Sequence, residues 1–530
     1  MISKQTRRPL VLGAVIMSMF MGAIEATIVA TSMPTIVARL GDMSLYSWVF
    51  SSYLLMQVVT VPVYGKLSDL FGRKRVLLFG LAMFIAGSVL CGIAWSMPSL
   101  VVFRLIQGIG GGAVVPLAMT LIGDLYPIEE RGRVQGYVAS VWGVSAIVGP
   151  LAGALIVQYV DWSWVFWVNV PFGIVAVFII ATCLHEDVSH RRVQVDYPGA
   201  VLLLAGLSSL MLCLTHAGDL GPAGLAVLGL VFVVCAVLFV RQERRAAEPV
   251  VNFELWRTPL IAVANATTLL SGVVIAGVVT FVPTFAQGVL GASAIRAGFA
   301  LSAMSIGWPI ATVVAGRLLV RVGARRLARI GGVAVFFGSL VIALAVQFST
   351  GVTLLTLGAV LLGAGMGTIS ITFMITIQSS VPWTQRGAAT ASNMLMRMLG
   401  NAVGSALFGG LLNVMVQRHL EREGWAGRLG VDDLQQLLGG LPAASGPART
   451  AADPAVLAVL REGLAGGLHW VFWGVCLAGA LTLLLAWRSR NLAAPAAEAR
   501  PAVQSQPSTP PTVVTGAAPN DSSAIPLRQG

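Results

Sequence analysis

The sequence predicts an all-α integral membrane protein of fourteen transmembrane helices, built as two six-helix bundles with two helices inserted between them. Three observations carry this. Of the 530 residues, 56% are hydrophobic and 11% charged, where a soluble domain carries roughly 25% charged residues. Mean hydropathy is +0.84. The apolar residues fall into fourteen runs near the roughly 20 residues that cross a bilayer, and the second half of the chain repeats the first.

The runs cover 9–37, 46–65, 76–96, 99–123, 134–159, 163–184, 197–217, 222–240, 259–287, 297–319, 330–348, 352–379, 388–416 and 468–487. The first lacks a small-residue cleavage site and reads as a retained helix, not a signal peptide. Most connections are short. Residues 417–467 form the long exception, and Asp453–Pro454 within it is a helix-start signal, cap then proline. Short helices over the outer face are expected there, either a lid or a plain insertion. The tail 488–530 holds seven prolines among Ala, Ser and Thr, and this composition predicts disorder.

Lysine and arginine set the orientation. With the N-terminus inside, fourteen spans return the C-terminus inside. The inner side then carries 25 of the 34 basic residues and the outer side seven; Arg104 and Arg397 lie within spans. The net charge of +12 is therefore topology and not a nucleic-acid footprint. Cys91, Cys183, Cys213, Cys235 and Cys476 all sit in apolar runs, which argues against disulfides, and neither they nor the scattered histidines have metal-site spacing.

Shifting the chain by 255 places Gly108, Gly110, Gly112, Pro127, Arg131, Gly132 and Gly149 on Gly363, Gly365, Gly367, Pro382, Arg386, Gly387 and Gly404. A shift of 251 places "GKLSDLFGRKR" (65–75) on "GRLLVRVGARR" (316–326). Span 4 thus matches span 12, and span 2 matches span 10. The bundles are 9–184 and 259–487, with 197–240 inserted and 488–530 a cytoplasmic tail. Duplicated bundles around a central site are a transporter architecture. The polar chemistry is lopsided: Asp69 is answered by Val320, Arg104 by Ala359 and Pro150 by Ser405. That assigns coupling to the first half and cavity shape to the second.

Two glycine-rich signals have bland readings. "GIGGGA" (108–113) lies within span 4, away from any strand, and reads as close helix packing and not dinucleotide binding. The three lysines, Lys4, Lys66 and Lys74, have no phosphate-binding loop around them, so ATP does not drive this chain.

At this point several motifs agree in order. "GKLSDLFGRKR" resembles the signature loop of the major facilitator superfamily, and "RLIQGIGGG" (104–112) its fourth-helix motif. "GPLAG" (149–153) is similar to the fifth-helix antiporter motif. "EATIVATSMP" (25–34), "WSWVFWVNVPFG" (162–173) and "VDYPG" (195–199) resemble the fourteen-helix drug:proton antiporter branch, over about residues 10–487. Two positions depart from it: Glu25 stands where the branch usually has Asp, and Ala30 where it has Asn. The resemblance implies a multidrug efflux antiporter of the inner (cytoplasmic) cell membrane, conferring antibiotic resistance. Its partners are a drug-like small molecule, protons and the lipid bilayer, with no cofactor beyond the proton gradient. Export of one dedicated metabolite or lipid, and a receptor or scaffold that moves nothing, are the alternatives. An enzyme is disfavoured.

The residues then take expected roles. Glu25 is a carboxylate in an apolar run, a position both costly and functional. It lies about 24 Å from the inner face and Arg104 about 8 Å below the outer face, so the two share a depth in a roughly 30 Å core. They are expected to pair and to couple protons; a static pair that only orients spans 1 and 4 is the plainer reading. Gly65, Asp69, Gly72 and Arg73 are expected to form an inner latch, the glycines permitting the turn. In "GPLAG", Pro150 removes a backbone bond, and Gly149 and Gly153 present a smooth face to slide or seal against the partner bundle. A packed small-residue contact is the alternative. Arg397, with Met394 beside it, either contacts substrate or holds backbone carbonyls. Trp142 and Trp308 either wall the cavity or pack.

Overall fold

The structure is a computed structural model that describes residues 6–41, 45–186, 196–215, 221–246, 253–292, 294–424 and 454–488. Fourteen long helices follow in order. The first seven are α1 (Arg8–Leu40), α2 (Tyr46–Phe71), α3 (Arg73–Gly92), α4 (Met97–Leu125), α5 (Ile128–Tyr159), α6 (Trp164–Cys183) and α7 (Tyr197–Thr215). The second seven are α8 (Gly221–Glu243), α9 (Pro259–Gly288), α10 (Ala294–Val322), α11 (Ala324–Gln347), α12 (Val352–Ser380), α13 (Arg386–Arg422) and α14 (Pro454–Arg488). Among the described residues, thirteen helices are long and apolar enough to cross a membrane. The other, α5, has the length, 32 residues, but carries Gln135, Gly136, Ser140, Gly143 and Ser145 along it.

Helix ends follow local chemistry. Prolines at the first turn open α1, α4 and α9, where the missing N–H has no helical partner to lose. Ser96 and Ser99 cap α4 reciprocally. Gly72 and Gly323, equivalent in the 251-residue repeat, both take positive φ (92° and 85°) at the α2–α3 and α10–α11 turns. Only glycine adopts this without strain.

The connection 417–467 is shorter than expected at both ends. A helix does start at Pro454, as the Asp453–Pro454 signal predicts, but it is α14 itself and not a short separate helix, and α13 continues to Arg422. Nothing in either stretch breaks the backbone hydrogen-bond ladder, so the helices outrun their apolar cores. Residues 425–453, including Asp453, lie outside the described residues, as do Arg191, Arg192, the tail from 489 onward and the Pro150 side chain.

Buried apolar residues form separate cores. One, from Val11 to Met211, admits Met374, Ala391, Met394 and Leu395 from the second half. Another, from Ile261 to Ala486, admits only Ile128 from the first, and two smaller first-half clusters gather around Ile28 and Tyr53. The glycine repeat becomes repeated packing. A side chain at Gly108 or Gly112 would strike α2, and one at Gly110 would strike α3. Gly363 and Gly367 lie against α10 and Gly365 against α11 in the same way. The inserted hairpin is clipped at its base: Asp196 accepts from Gly199 N (3.0 Å) and Gln242 Nε2 (2.9 Å). Leu207 and Met211 of α7 join the first core, while α8 buries only Phe239 and Glu243.

Candidate functional site

Five first-half helices converge on Glu25. Its side chain and that of Arg104 are almost wholly buried. Arg104 Nη1 donates to Glu25 Oε1 and to Gln107 Oε1 (2.6 Å), and Arg104 Nε donates to the Val49 carbonyl (3.0 Å). The second carboxylate oxygen accepts from Asn169 Nδ2 (2.5 Å). Gln107 Nε2 donates to Ser88 Oγ (2.9 Å). The guanidinium lies over the Tyr53 ring, 4.4 Å from its centre, with Phe166 at 5.9 Å. Each charge alone would carry a large desolvation penalty; paired and hydrogen-bonded, each offsets the other. The cluster can also change state. If Glu25 takes a proton, Arg104 keeps Gln107, Val49 and the Tyr53 face, so the pair can loosen without stranding the cation.

The second cluster joins the halves at the end bearing the basic loops, called here the basic end. Asp69, near the end of α2, accepts from the first backbone N–H groups of α13, Gly387 N (3.0 Å) and Ala388 N (2.8 Å). A carboxylate there meets the positive end of the helix dipole. Arg73 is fully buried, donates to Asp69 Oδ1 (2.7 Å), Asp124 Oδ2 (3.1 Å) and the Ser68 and Trp383 carbonyls, and lies 4.0 Å over the Trp383 ring. Arg386 reaches Asp124 from the other half (3.3 Å). Gln378 Nε2 donates to the Met119 carbonyl (3.2 Å). Glu186 holds Arg73 N and Lys74 N, each at 2.9 Å, which fixes the start of α3.

Glycines permit this closure. A side chain at Gly65 would collide with Gly387 and Ala391, and one at Gly132 with the Gly316 backbone. The pairs Gly65·Gly387 and Gly132·Gly316 are exchanged by the repeat, so the two halves meet about a pseudo-two-fold axis with the basic end shut. Asp69→Asn keeps the size but weakens the three charge-assisted bonds from Gly387 N, Ala388 N and Arg73, each worth about 1.5–3 kcal/mol. Turnover is expected to fall about tenfold with cargo affinity within about twofold, read by transport rate beside equilibrium binding. Parallel loss of both would mark Asp69 as a folding residue.

The structure thus brings Glu25 to Arg104, and Gly65, Asp69 and Arg73 together at the latch, with Gly72 as its turn. It rearranges others. Gly149, expected to face the partner bundle, instead lies against Thr27 of α1, close to Glu25; Gly404 mirrors it against Val273 and Ala276 of α9. Gly153 is also buried. Met394 is 1% exposed and packs in the first-half core, not on a cavity. Trp308 packs against the second core. Trp142 is 46% exposed and Arg397 half-buried.

Residues 14–405 match the Major Facilitator Superfamily. The chain belongs to that superfamily. It is 37% identical over 410 residues to Multidrug resistance protein 3 of Bacillus subtilis (strain 168), covering 77% of this chain and 80% of the relative. It is 33% identical over 449 residues to the Multidrug transporter protein MdtP of the same organism, covering 83% and 80%. Two solved structures share the fold at 14% identity. The human organic anion transporter MFSD10 (TETRAN) gives a TM-score of 0.62 over 91% of this chain and 100% of that one. The proton:xylose symporter XylE gives 0.58 over 91% and 95%. The chain is therefore a multi-pass membrane transporter of small molecules and not an enzyme.

For this major facilitator member, sequence reading missed Tyr53, Gln107 and Asn169 around Glu25. Asn169 lay within the quoted "WSWVFWVNVPFG", but an uncharged amide in a helix gives no signal of its partner. Gln378 and Glu186 were missed because each bonds mainly to backbone.

Proposed function

We propose that this protein is a proton-coupled antiporter that exports small lipophilic, cationic or amphipathic compounds from the cell, with Glu25 carrying the proton. The observation that supports this most is the Glu25–Arg104–Asn169 cluster: a titratable group buried at membrane depth, held by partners that survive its neutralisation. The latch at the basic end supports alternating access, because its bonds join the two halves at one end. The positive-inside pattern supports a cell-membrane orientation with both termini cytoplasmic. Drug resistance follows as the cellular outcome, as does independence of ATP. The test is dye efflux from energised cells of a strain lacking its own pumps. Efflux of several unrelated dyes, stopped by a protonophore, is expected. Efflux that survives the protonophore, or that ATP depletion alone abolishes, contradicts the proposal.

A further inference from the structure

The charges of the two clusters are paired; among the described residues Arg397 has no such partner. It lies eleven residues into α13, roughly 17 Å along the helix. Its guanidinium makes no hydrogen bond or ion pair with any described residue, and it is only half-buried. The surroundings say what it faces. On α13, Asn393, Gly400 and Gly404 press on α9. Met394, Leu395, Met398 and Ala402 pack into the first-half core. Leu407 and Val414, 58% and 44% exposed, mark an apolar outer face.

Arg397, Asn401 and Ser405 form one i, i+4, i+8 row: the first two fall between the α9-facing and first-half-core sectors, and Ser405 reaches the angle of Met394 and Met398 but is exposed. At about 100° per residue, Asn401 and Ser405 lie roughly 130° and 170° from the Leu407–Val414 face. Both are exposed and neither bonds to a described residue. The row is therefore polar, makes no side-chain bond with a described residue, and turns from about 90° (Arg397) to about 170° (Ser405) away from the apolar exterior. The 255-residue shift places Trp142 on Arg397, and Trp142 is exposed on the equivalent helix of the other half.

An unsolvated guanidinium at this depth is expensive, so its site must be wet or liganded. Its planar fork suits an oxyanion held through two hydrogen bonds. We propose that the Arg397–Asn401–Ser405 row is a cargo subsite for the anionic end of lipophilic compounds bearing a carboxylate or sulfonate. This rests on the transporter reading above and deepens it, since Glu25 is already occupied by Arg104 and Asn169.

The test uses the full chain in proteoliposomes under an imposed proton gradient, with carboxyfluorescein as anionic probe and ethidium as cationic probe. In Arg397→Gln the ratio of carboxyfluorescein to ethidium rates is expected to fall about tenfold, the worth of one charge-assisted bond. Arg397→Lys, which keeps the charge, should recover most of it. Equal loss of both probes, or an unchanged ratio, overturns the proposal. Wild-type transport of ethidium alone overturns it while leaving the transporter reading intact; transport of neither probe overturns both. Vesicles of phosphatidylcholine alone and with phosphatidylglycerol complete the design. An Arg397 effect present only with the anionic lipid would assign the row to headgroup phosphate and overturn the cargo subsite.

Discussion

Glu25→Gln is expected to abolish proton-driven efflux while the protein still inserts and binds cargo. The amide keeps the shape of the side chain and can still accept from Arg104, but it cannot exchange a proton in the working pH range. Asn169 Nδ2, which now donates to a carboxylate oxygen, would face either that oxygen or an NH2 group, so some local rearrangement accompanies the change. Glu25→Asp keeps the titratable group and should retain activity. Glu25→Ala is harsher: a buried cation left without its partner costs about 3–5 kcal/mol, so its Tm should drop. Removing Arg104 as well, as in Glu25→Ala/Arg104→Leu, should recover part of that stability without restoring transport. A Glu25→Gln protein with wild-type efflux and unchanged protonophore sensitivity would move the coupling role to Asp69 or Asp124.

Gly132→Val is expected to trap the transporter with its basic end open. A Cβ at Gly132 meets the Gly316 backbone, which has no flexible side chain to swing aside. Overpacking of this kind costs about 1–3 kcal/mol, enough to shift a two-state equilibrium roughly 5- to 150-fold. Opening the basic end relieves the clash, so overall stability should change little while turnover falls to background. Thr390 is fully buried at this end and bonded to Gln378, so a cysteine placed there in Thr390→Cys reports closure. Its alkylation should accelerate in the Gly132→Val background. Unchanged alkylation together with lost transport would contradict opening of the basic end as the cause.

Much of this was legible because charge in an apolar run is conspicuous. Glu25 and Arg104 could be matched by depth from helix rise alone, and the pair forms. Asp69 stood out for the same reason, but its partners did not: the Gly387 and Ala388 N–H groups and the Trp383 carbonyl belong to the backbone, which every residue carries. Glycines told of close approach without naming the neighbour. Gly108, Gly110 and Gly112 pack as expected, whereas Gly149 faces α1 in its own half and not the partner bundle. Span positions followed from hydropathy, but helix ends did not: hydrogen bonding carried α13 to Arg422, beyond its apolar stretch, and the start of α14 at Pro454 was marked by the Asp453–Pro454 signal and not by hydropathy. Met394 shows the remaining gap: a flexible thioether beside an arginine within a span looks like a cargo contact until the fold packs it in a core.

The most direct test of proton-coupled exchange through Glu25 is proton movement driven by cargo alone. Proteoliposomes carrying the full chain, loaded with pyranine as an internal pH reporter, are given an ethidium gradient and no pH gradient. The wild type is expected to move protons against the direction of ethidium flow, and Glu25→Gln to move none. Ethidium flux in the wild type with no proton movement, or the same proton movement in Glu25→Gln, would contradict the account.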